Sequence, residues 1–406
     1  MLTYKVQLYP SKQQQIKLGE QLEICRNLYN KLLEDCKKAQ GKGEKLTQSK
    51  TQSFIVGLKN SSMPELKEVY SKVLQMVNYT LWTNIRSLVQ LKKNGHKIGH
   101  LRFKGKGWYK TINYNQSGFK IDEIKNKITF SKIGTINCRG LNNRVRENKT
   151  KGIILKRSQT GRWFANIQVE NTPMVLPKTT KSVGIDVGIR YFIVDSDGRR
   201  VENPKNIDKQ LKKIKKKHQT LSRKKKGSKN WLKAKFQLAK LLAQVTNQRK
   251  DFLHKVSRFY VKTYDIICVE DLNIKALIHK GNKNNKRSHA LHRNILDASW
   301  GLFFNYLSYK AVNADKKLVK VHPKGTTQEC SRCGRIVKKE LSDKIHLCPY
   351  CDIELDRDYN ASINILKRGK GHTSLLVENR PLFTITASAF VSGQDFSMNQ
   401  ETPTFR

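Results

Sequence analysis

Acidic residues are scarce in this chain: 32 Asp and Glu stand against 80 Lys and Arg in 406 residues, a formal net charge of +48. Solubility needs far less, so the excess has to face a polyanion, and nucleic acid is the default one. Long apolar runs are missing as well. None approaches the roughly 20 residues that span a bilayer, and the opening MLTYKVQLYP lacks the basic-then-apolar layout of a secretory leader. Nor is there a strong amphipathic basic helix to lie on an anionic membrane. These absences point to a cytoplasmic protein with no membrane partner and no small-molecule substrate. Cysteine is thinly used: Cys25, Cys36, Cys138 and Cys268 are scattered and the other four fall in two close pairs, which suits a reduced compartment and one metal site rather than a disulfide framework. Internal repeats are absent, which removes solenoids and propellers.

What is present has the makings of a folded chain. Hydrophobic residues at 37% exclude wholesale disorder, and 406 residues leave room for two or three domains. Residues 1–9 alternate as a short strand. Pro10-Ser11 then opens a helical stretch with Leu18, Leu22, Cys25, Tyr29 and Leu32 on one face, and a second helical period runs through Val73, Val77, Leu81, Ile85 and Leu88. Residues 10–95 therefore read as a helical module inserted after an initial strand. Over 96–180 the period falls to two, around Ile128–Phe130, Ile133–Ile136, Ile153–Leu155 and Trp163–Val169, with Thr160-Gly161 at a hairpin turn. The first strand has room to join this β module. Lys104, Tyr109 and Lys110 stand in a stretch where Phe103, Trp108 and Tyr114 interleave with bases, a pattern that suits stacking and phosphate pairing. An ordinary β core with a solvated basic edge would read the same way.

After Pro177 the order becomes strand, hairpin, long helices over 206–262, a buried strand at Ile266–Val269, a helix at Ala298–Val312, a strand at Leu318–Val321 and a helical start at 360–366. The tail over 371–406 has no period and reads as flexible. The strongest local signal is Cys330-x-x-Cys333, fourteen residues, then Cys348-x-x-Cys351. Two knuckles joined by a hairpin bring four thiolates to one tetrahedral site, a structural zinc with no open position for catalysis. A redox CxxC would come singly.

Three carboxylates stand out by position: Asp186 in GIDVG within an apolar strand, Glu270 at the end of IICVE, and Asp358 in DRDYNA at the start of the last helix. A carboxylate in a buried strand is costly unless paired or bound to metal. Singly, each could be a salt bridge to one of 80 cations; together, on a first strand, a later strand and a final helix, they match the layout of an RNase H-like nuclease. Phosphodiester hydrolysis with two Mg²⁺ about 4 Å apart needs carboxylates converging from separate elements, and hard oxygen ligands suit Mg²⁺. GIDVG also resembles the first phosphate loop of actin-like ATPases, but the second Asp-x-Gly loop and the Gly-rich adenosine loop those need are not found after Glu270. Between Lys209 and Lys226 lie ten Lys or Arg and no acid. This run, including Lys215, Lys216, Lys217, Arg223, Lys224 and Lys225, reads as the lining of a duplex-carrying groove with a salt-dependent grip blind to sequence; a solvated face is the plainer alternative. Arg357 either clamps the scissile phosphate or ties Asp356 down.

The succession GIDVGIRYFIVDSDG, NQRKDFLHKVS, ICVEDLNI, ASWGLFFNYLSYKA, CSRCG, CPYCD and DRDYNASINIL resembles the TnpB family, the OrfB products of insertion sequences and relatives of type V CRISPR effectors. LTYKVQLYPSKQQQ fits its helix-turn-helix region and RFKGKG its β region, so the likeness covers nearly the whole chain. The resemblance implies a multidomain α+β protein. A wedge-like β-barrel (1–9 and 96–180) would carry a helical recognition module (10–95). An RNase H-like (RuvC) α/β nuclease domain (181–325 and 353–370) would carry the basic helical insert and the zinc ribbon (326–352). It further implies a guide RNA, double-stranded target DNA read beside a short motif, one structural Zn²⁺ and two catalytic Mg²⁺. Asp186, Glu270 and Asp358 take the family's acid positions; Asp358 is preferred to Asp356 because the family acid precedes x-Asn-Ala. A guide-bound repressor without cleavage would have lost the acids, and a strand-transfer transposase would show a nucleophilic Tyr with paired His.

Overall fold

The computed structural model describes residues 1–141, 145, 149–170, 173, 175–279, 286–340, 343–371 and 382–392. The chain divides into two compact units, Met1–Thr172 and Pro173–Arg406.

In the first unit, strand β1 (Leu2–Tyr9) leads into helices α1 (Lys12–Gly41), α2 (Gln48–Asn60) and α3 (Ser71–Lys93), and then into β2 (Thr111–Asn115), β3 (Phe119–Asp122), β4 (Lys127–Phe130), β5 (Gly134–Arg139), β6 (Thr150–Arg157) and β7 (Trp163–Val169). Ser11 starts α1 through a reciprocal capping box with Gln14, satisfying amide groups that the first turn cannot pair internally. The sheet order is β2-β6-β7-β1-β5-β4-β3, so the N-terminal strand sits at its centre. It curls on itself: Tyr114 of one edge strand donates to the Ser131 carbonyl at 2.8 Å and packs its ring 5.2 Å from Phe130. Helices and sheet share a single hydrophobic core that includes Val6, Leu28, Tyr29, Leu74, Tyr114 and Ile167.

The second unit starts with the meander β8 (Ser182–Val187), β9 (Tyr191–Asp195) and β10 (Arg199–Glu202). The long helices α4 (Asn206–Ser222) and α5 (Lys229–Thr263) follow, then β11 (Ile266–Glu270), α6 (Ile274–His279), α7 (Lys286–Ala298), α8 (Trp300–Asn313) and β12 (Lys317–Val321). A two-stranded hairpin, β13 (Ile345–Leu347) and β14 (Glu354–Asp356), precedes α9 (Arg357–Lys370), and β15 (Phe383–Ile385) and α10 (Ala387–Ser392) close the described chain. The main sheet runs β12-β11-β8-β9-β10-β15. β8, β9 and β10 are antiparallel neighbours, whereas β11 lies parallel to both β8 and β12.

Side chains alternate across a strand, and this sheet uses both faces. Val183, Ile185, Ile267 and Val269 point into a core built with Phe252, Val256 and Tyr260 of α5 and Phe303 and Leu307 of α8. The residues between them, Gly184, Asp186, Cys268 and Glu270, occupy the opposite face, which α9 covers.

The tail departs from expectation. Part of it is ordered: β15 adds to the sheet edge parallel to β10, and Phe390 is 5% exposed, its ring 5.6 Å from Phe259 and 6.5 Å from Phe252. Three residues of strand and six of helix are too short to carry a readable period, so only tertiary packing defines them. Residues 372–381 and 393–406 of that tail lie outside the described residues.

Candidate metal centres and acidic cleft

The cysteine centre is built locally. The Gly334 amide donates to the Cys330 carbonyl, and Gly334 takes φ +76°, which glycine adopts without steric cost. Asp352 repeats the turn at φ +54°, donating to the Cys348 carbonyl. One sulfur from each of Cys330, Cys333, Cys348 and Cys351 lies within 4.8 Å of the others, with 3.7 Å between Cys330 and Cys351 and 3.6 Å between Cys333 and Cys348. Thiolates bound at about 2.3 Å to a tetrahedral centre are about 3.8 Å apart, so the four donors fit zinc without rearrangement. A disulfide would need roughly 2.05 Å. Cys330 and Cys348 are buried and pack with Ile353, Leu355, Tyr359 and Ile363.

The acids come together through backbone contacts. β8 and β11 pair in register as far as Ile185 with Val269, which leaves Asp186 and Glu270 side by side one step further on. Helix α9 comes close because residue 184 is glycine: a Cβ there would meet the Ser362 carbonyl oxygen at 2.0 Å and the Leu366 amide at 2.7 Å. Two residues along the strand is Asp186, and one turn back along the helix is Asp358. Val194, the cross-strand partner of Asp186, packs in the same cluster as Tyr359 and Ile363. All three acids are half-buried. Burial raises Asp186 well above the usual carboxylate range, the charges of Glu270 and Asp358 push it further, and Arg357 opposes them. Glu270 is also raised by burial, against a hydrogen bond from Thr326 and the charge of Arg368. Among the described residues no three acids bring one oxygen each within 4.8 Å, as the four thiolates do. The acid cluster is thus wider than a cage for one ion.

Asp186 and Asp358 open onto a cleft of about 580 Å³ whose lining includes Arg190, Lys205, Lys344 and Arg357. Arg357 donates from Nε and Nη2 to Asp358 Oδ1, both at 3.0 Å, and from Nη1 to the Asp343 carbonyl at 3.0 Å. The Arg357 guanidinium therefore contacts Asp358. Asp356 instead caps α9, accepting from the Asp358 and Tyr359 amides, and pairs with Arg200 at 2.6 Å. One Asp356 oxygen thus holds the helix start and the other holds the ion pair with Arg200.

The remaining sequence-derived contacts divide. Lys215 and Lys216 of α4, and Arg223, Lys224 and Lys225 just after it, are exposed, and Lys217 is half-buried beside Gln237. Lys110 is exposed. Tyr109 is 8% exposed, with its ring against Tyr29, and burial raises its hydroxyl, so it packs in the core of the first unit. Tyr114 is fully buried as well. Lys104 is half-buried with its ammonium 4.2 Å from the Tyr29 ring. Trp108, at 78% exposed, and Phe103, at 51%, are the aromatics turned outward. The sequence reading also missed Thr326, which reaches Glu270 and follows no motif.

Three family models match this chain: one described as "Probable transposase" over residues 166–280, a Cas12f1-like TNB domain over 300–365, and a helix-turn-helix domain over 1–45. Over 381 residues the chain is 29% identical to a protein of Escherichia coli provisionally named RNA-guided DNA endonuclease InsQ, with 90% of this chain and 92% of that one covered. Over 372 residues it is 30% identical to a Streptomyces pristinaespiralis protein with the same provisional activity in its name, covering 90% and 89%. A TnpB-like protein of Acanthamoeba polyphaga mimivirus is 36% identical over 211 residues, 48% of this chain and 40% of that one. Among solved structures, Cas12f1 in a complex with sgRNA and target DNA has a similar fold at TM-score 0.50 and 16% identity, covering 87% of this chain and 82% of that one.

Proposed function

The chain belongs to the TnpB family of insertion-sequence proteins, and from that premise we propose that it is an RNA-guided DNA endonuclease. It binds a transposon-derived guide RNA and cuts double-stranded target DNA beside a short motif. The observation that carries this reading is that Asp186 and Glu270 lie on adjacent parallel strands of one sheet face, that Asp358 starts the helix covering that face, and that both of these neighbours act on Asp186 beside a cleft that also presents cations. A meander followed by two parallel strands, with a helix over the acid-bearing face, is the order expected of an RNase H-like (RuvC) domain. In this reading the first unit is the wedge-like barrel with its helical recognition module, and guide pairing reads the target sequence while the protein reads duplex shape and backbone.

The acids are hard oxygen donors in a partly dry, like-charged setting, which fits Mg²⁺. Asp186, Glu270 and Asp358 would hold the ions, and paired Mg²⁺ supplies activation of water for in-line attack and stabilisation of the departing 3′ oxygen. The chain's own part is positioning. Asp186 and Glu270 are fixed by adjacent strands, Asp358 by the first turn of α9, and Arg357 stands beside Asp358 to meet phosphate. Exposed bases of α4 and the turn after it supply sequence-independent grip. The four cysteines hold Zn²⁺ structurally, and the protein works in the cytoplasm.

Asp186→Ala tests the reading in purified protein loaded with its copurifying RNA. Mg²⁺-dependent cleavage should fall by at least about 10³-fold, within the range a lost catalytic group can cost, while guide-dependent DNA binding persists. Loss of binding together with cleavage would assign Asp186 to the fold and overturn the proposal.

A further inference from the structure

Thr326 is 2% exposed and lies in the segment that leads into the first cysteine knuckle. Its Oγ1 donates to Glu270 Oε1 at 2.6 Å, far shorter than its 3.2 Å separation from the Pro323 carbonyl. A hydroxyl has one proton, and the shorter contact to a charged acceptor takes it. That bond fixes one carboxylate oxygen and leaves Oε2 for an ion. Glu270 has its backbone held on the sheet, where β11 pairs through it with Val321 of β12, so Thr326 constrains the part of the residue that the ladder leaves mobile.

Thr326 is itself held. Asn364 donates through Nδ2 to the Thr326 carbonyl at 2.9 Å and to the Glu329 carbonyl at 2.7 Å. Asn360 donates to the Glu329 carbonyl at 2.8 Å and accepts from the Ser331 amide at 2.9 Å. Both asparagines are nearly or fully buried, at 2% and 0% exposed, on the helix that carries Asp358. One short stretch, 326–331, therefore touches Glu270 at its start, contains Cys330, and is bolted to α9 by two side-chain amides. This is more bonding than a linker needs, since a connecting loop satisfies its backbone in water.

We propose that Thr326 is the positioning residue of Glu270, and that the 326–331 stretch is a strut joining the four-cysteine centre to the acid cluster. The inference rests on the nuclease reading, because it treats Glu270 as an ion ligand. Groups that orient metal ligands commonly cost 10- to 100-fold in ion affinity or activity when removed.

The test is Mn²⁺ binding to the full-length, zinc-loaded protein, followed by the ion's magnetic resonance signal, alongside cleavage. Thr326→Val keeps shape and removes the donor; it should weaken Mn²⁺ by about 10- to 100-fold with zinc content unchanged. Thr326→Ser restores the hydroxyl and should return affinity to near the parent value. If Thr326→Val binds Mn²⁺ as the parent does, or Thr326→Ser is as weak as Thr326→Val, the positioning role is wrong. Asp186→Ala separates the two readings. If it leaves Mn²⁺ binding untouched, the acid cluster is not an ion site; if it abolishes binding while Thr326→Val does not weaken it, only the strut fails.

Discussion

The two candidate metal centres of the second unit are assembled by opposite means. The cysteine centre draws all its ligands from Cys330 to Cys351 and closes over two turns of the same kind, each with a left-handed residue after the CxxC. The acid cluster draws on Asp186, Glu270 and Asp358, which meet only because a glycine lets a helix settle on two parallel strands. One is a local motif whose four thiolates suit a zinc ion. The other is a product of the completed sheet, where burial and the neighbouring Glu270 and Asp358 raise Asp186. A self-contained thiolate set is closed and structural; a wider carboxylate set with a perturbed member is where chemistry can be done.

Removing a single thiolate should break the local centre most severely. Structural zinc contributes apparent binding energies on the order of 10 kcal/mol to small folds, so Cys330→Ser should drop zinc below one ion per chain and unfold the β13–β14 hairpin. Hydrogen exchange would register this as lost protection over residues 345–356, while β8, β9 and α5 stay protected. If the sheet strands lost protection to the same extent, the centre would not be the local unit described. The distributed cluster has a different weak point. Gly184→Val places methyl groups where the Ser362 carbonyl and Leu366 amide already stand, and overpacking of this kind costs about 1–3 kcal/mol or more. Denaturant titration should show that loss, and cleavage should fall with it although no acid has been changed. Full cleavage in Gly184→Val would show that α9 need not lie so close.

The same contrast explains what could be read in advance. Two CxxC pairs and three acids at strand and helix ends are visible because chemistry dictates residue type and spacing. Which of two adjacent aromatics turns inward is not written in composition: Trp108 is 78% exposed and Tyr109 8% exposed, and only the meeting of the Tyr29 ring with the latter decides it. Thr326 carries no signature because a hydroxyl facing a carboxylate 56 residues away depends on where β11 ends. β15 has three residues and no alternation, yet it pairs along the β10 edge, since an unpaired edge accepts almost any short extended segment. Elements anchored by their own period or motif were legible; those that exist only because a surface awaited them were not.

The smallest expected effect discriminates most finely, since it separates two aspartates two residues apart. Asp356 accepts from the Asp358 and Tyr359 amides and pairs with Arg200, whereas Asp358 faces Arg357 and acts on Asp186. Loss of a helix N-cap costs about 0.5–2 kcal/mol, and a partly exposed ion pair adds little. Asp356→Asn keeps a capping oxygen and removes the charge, so it should sit near the parent in a denaturant titration. Asp356→Ala should lose about 1 kcal/mol and retain most cleavage at a temperature well below its midpoint. Asp358→Asn should reverse the pattern, with stability kept or raised as one of three like charges goes, and cleavage lost. If Asp356→Ala abolished cleavage while Asp358→Asn did not, the two roles would have to be exchanged, and the cluster would have to be redrawn around the start of α9.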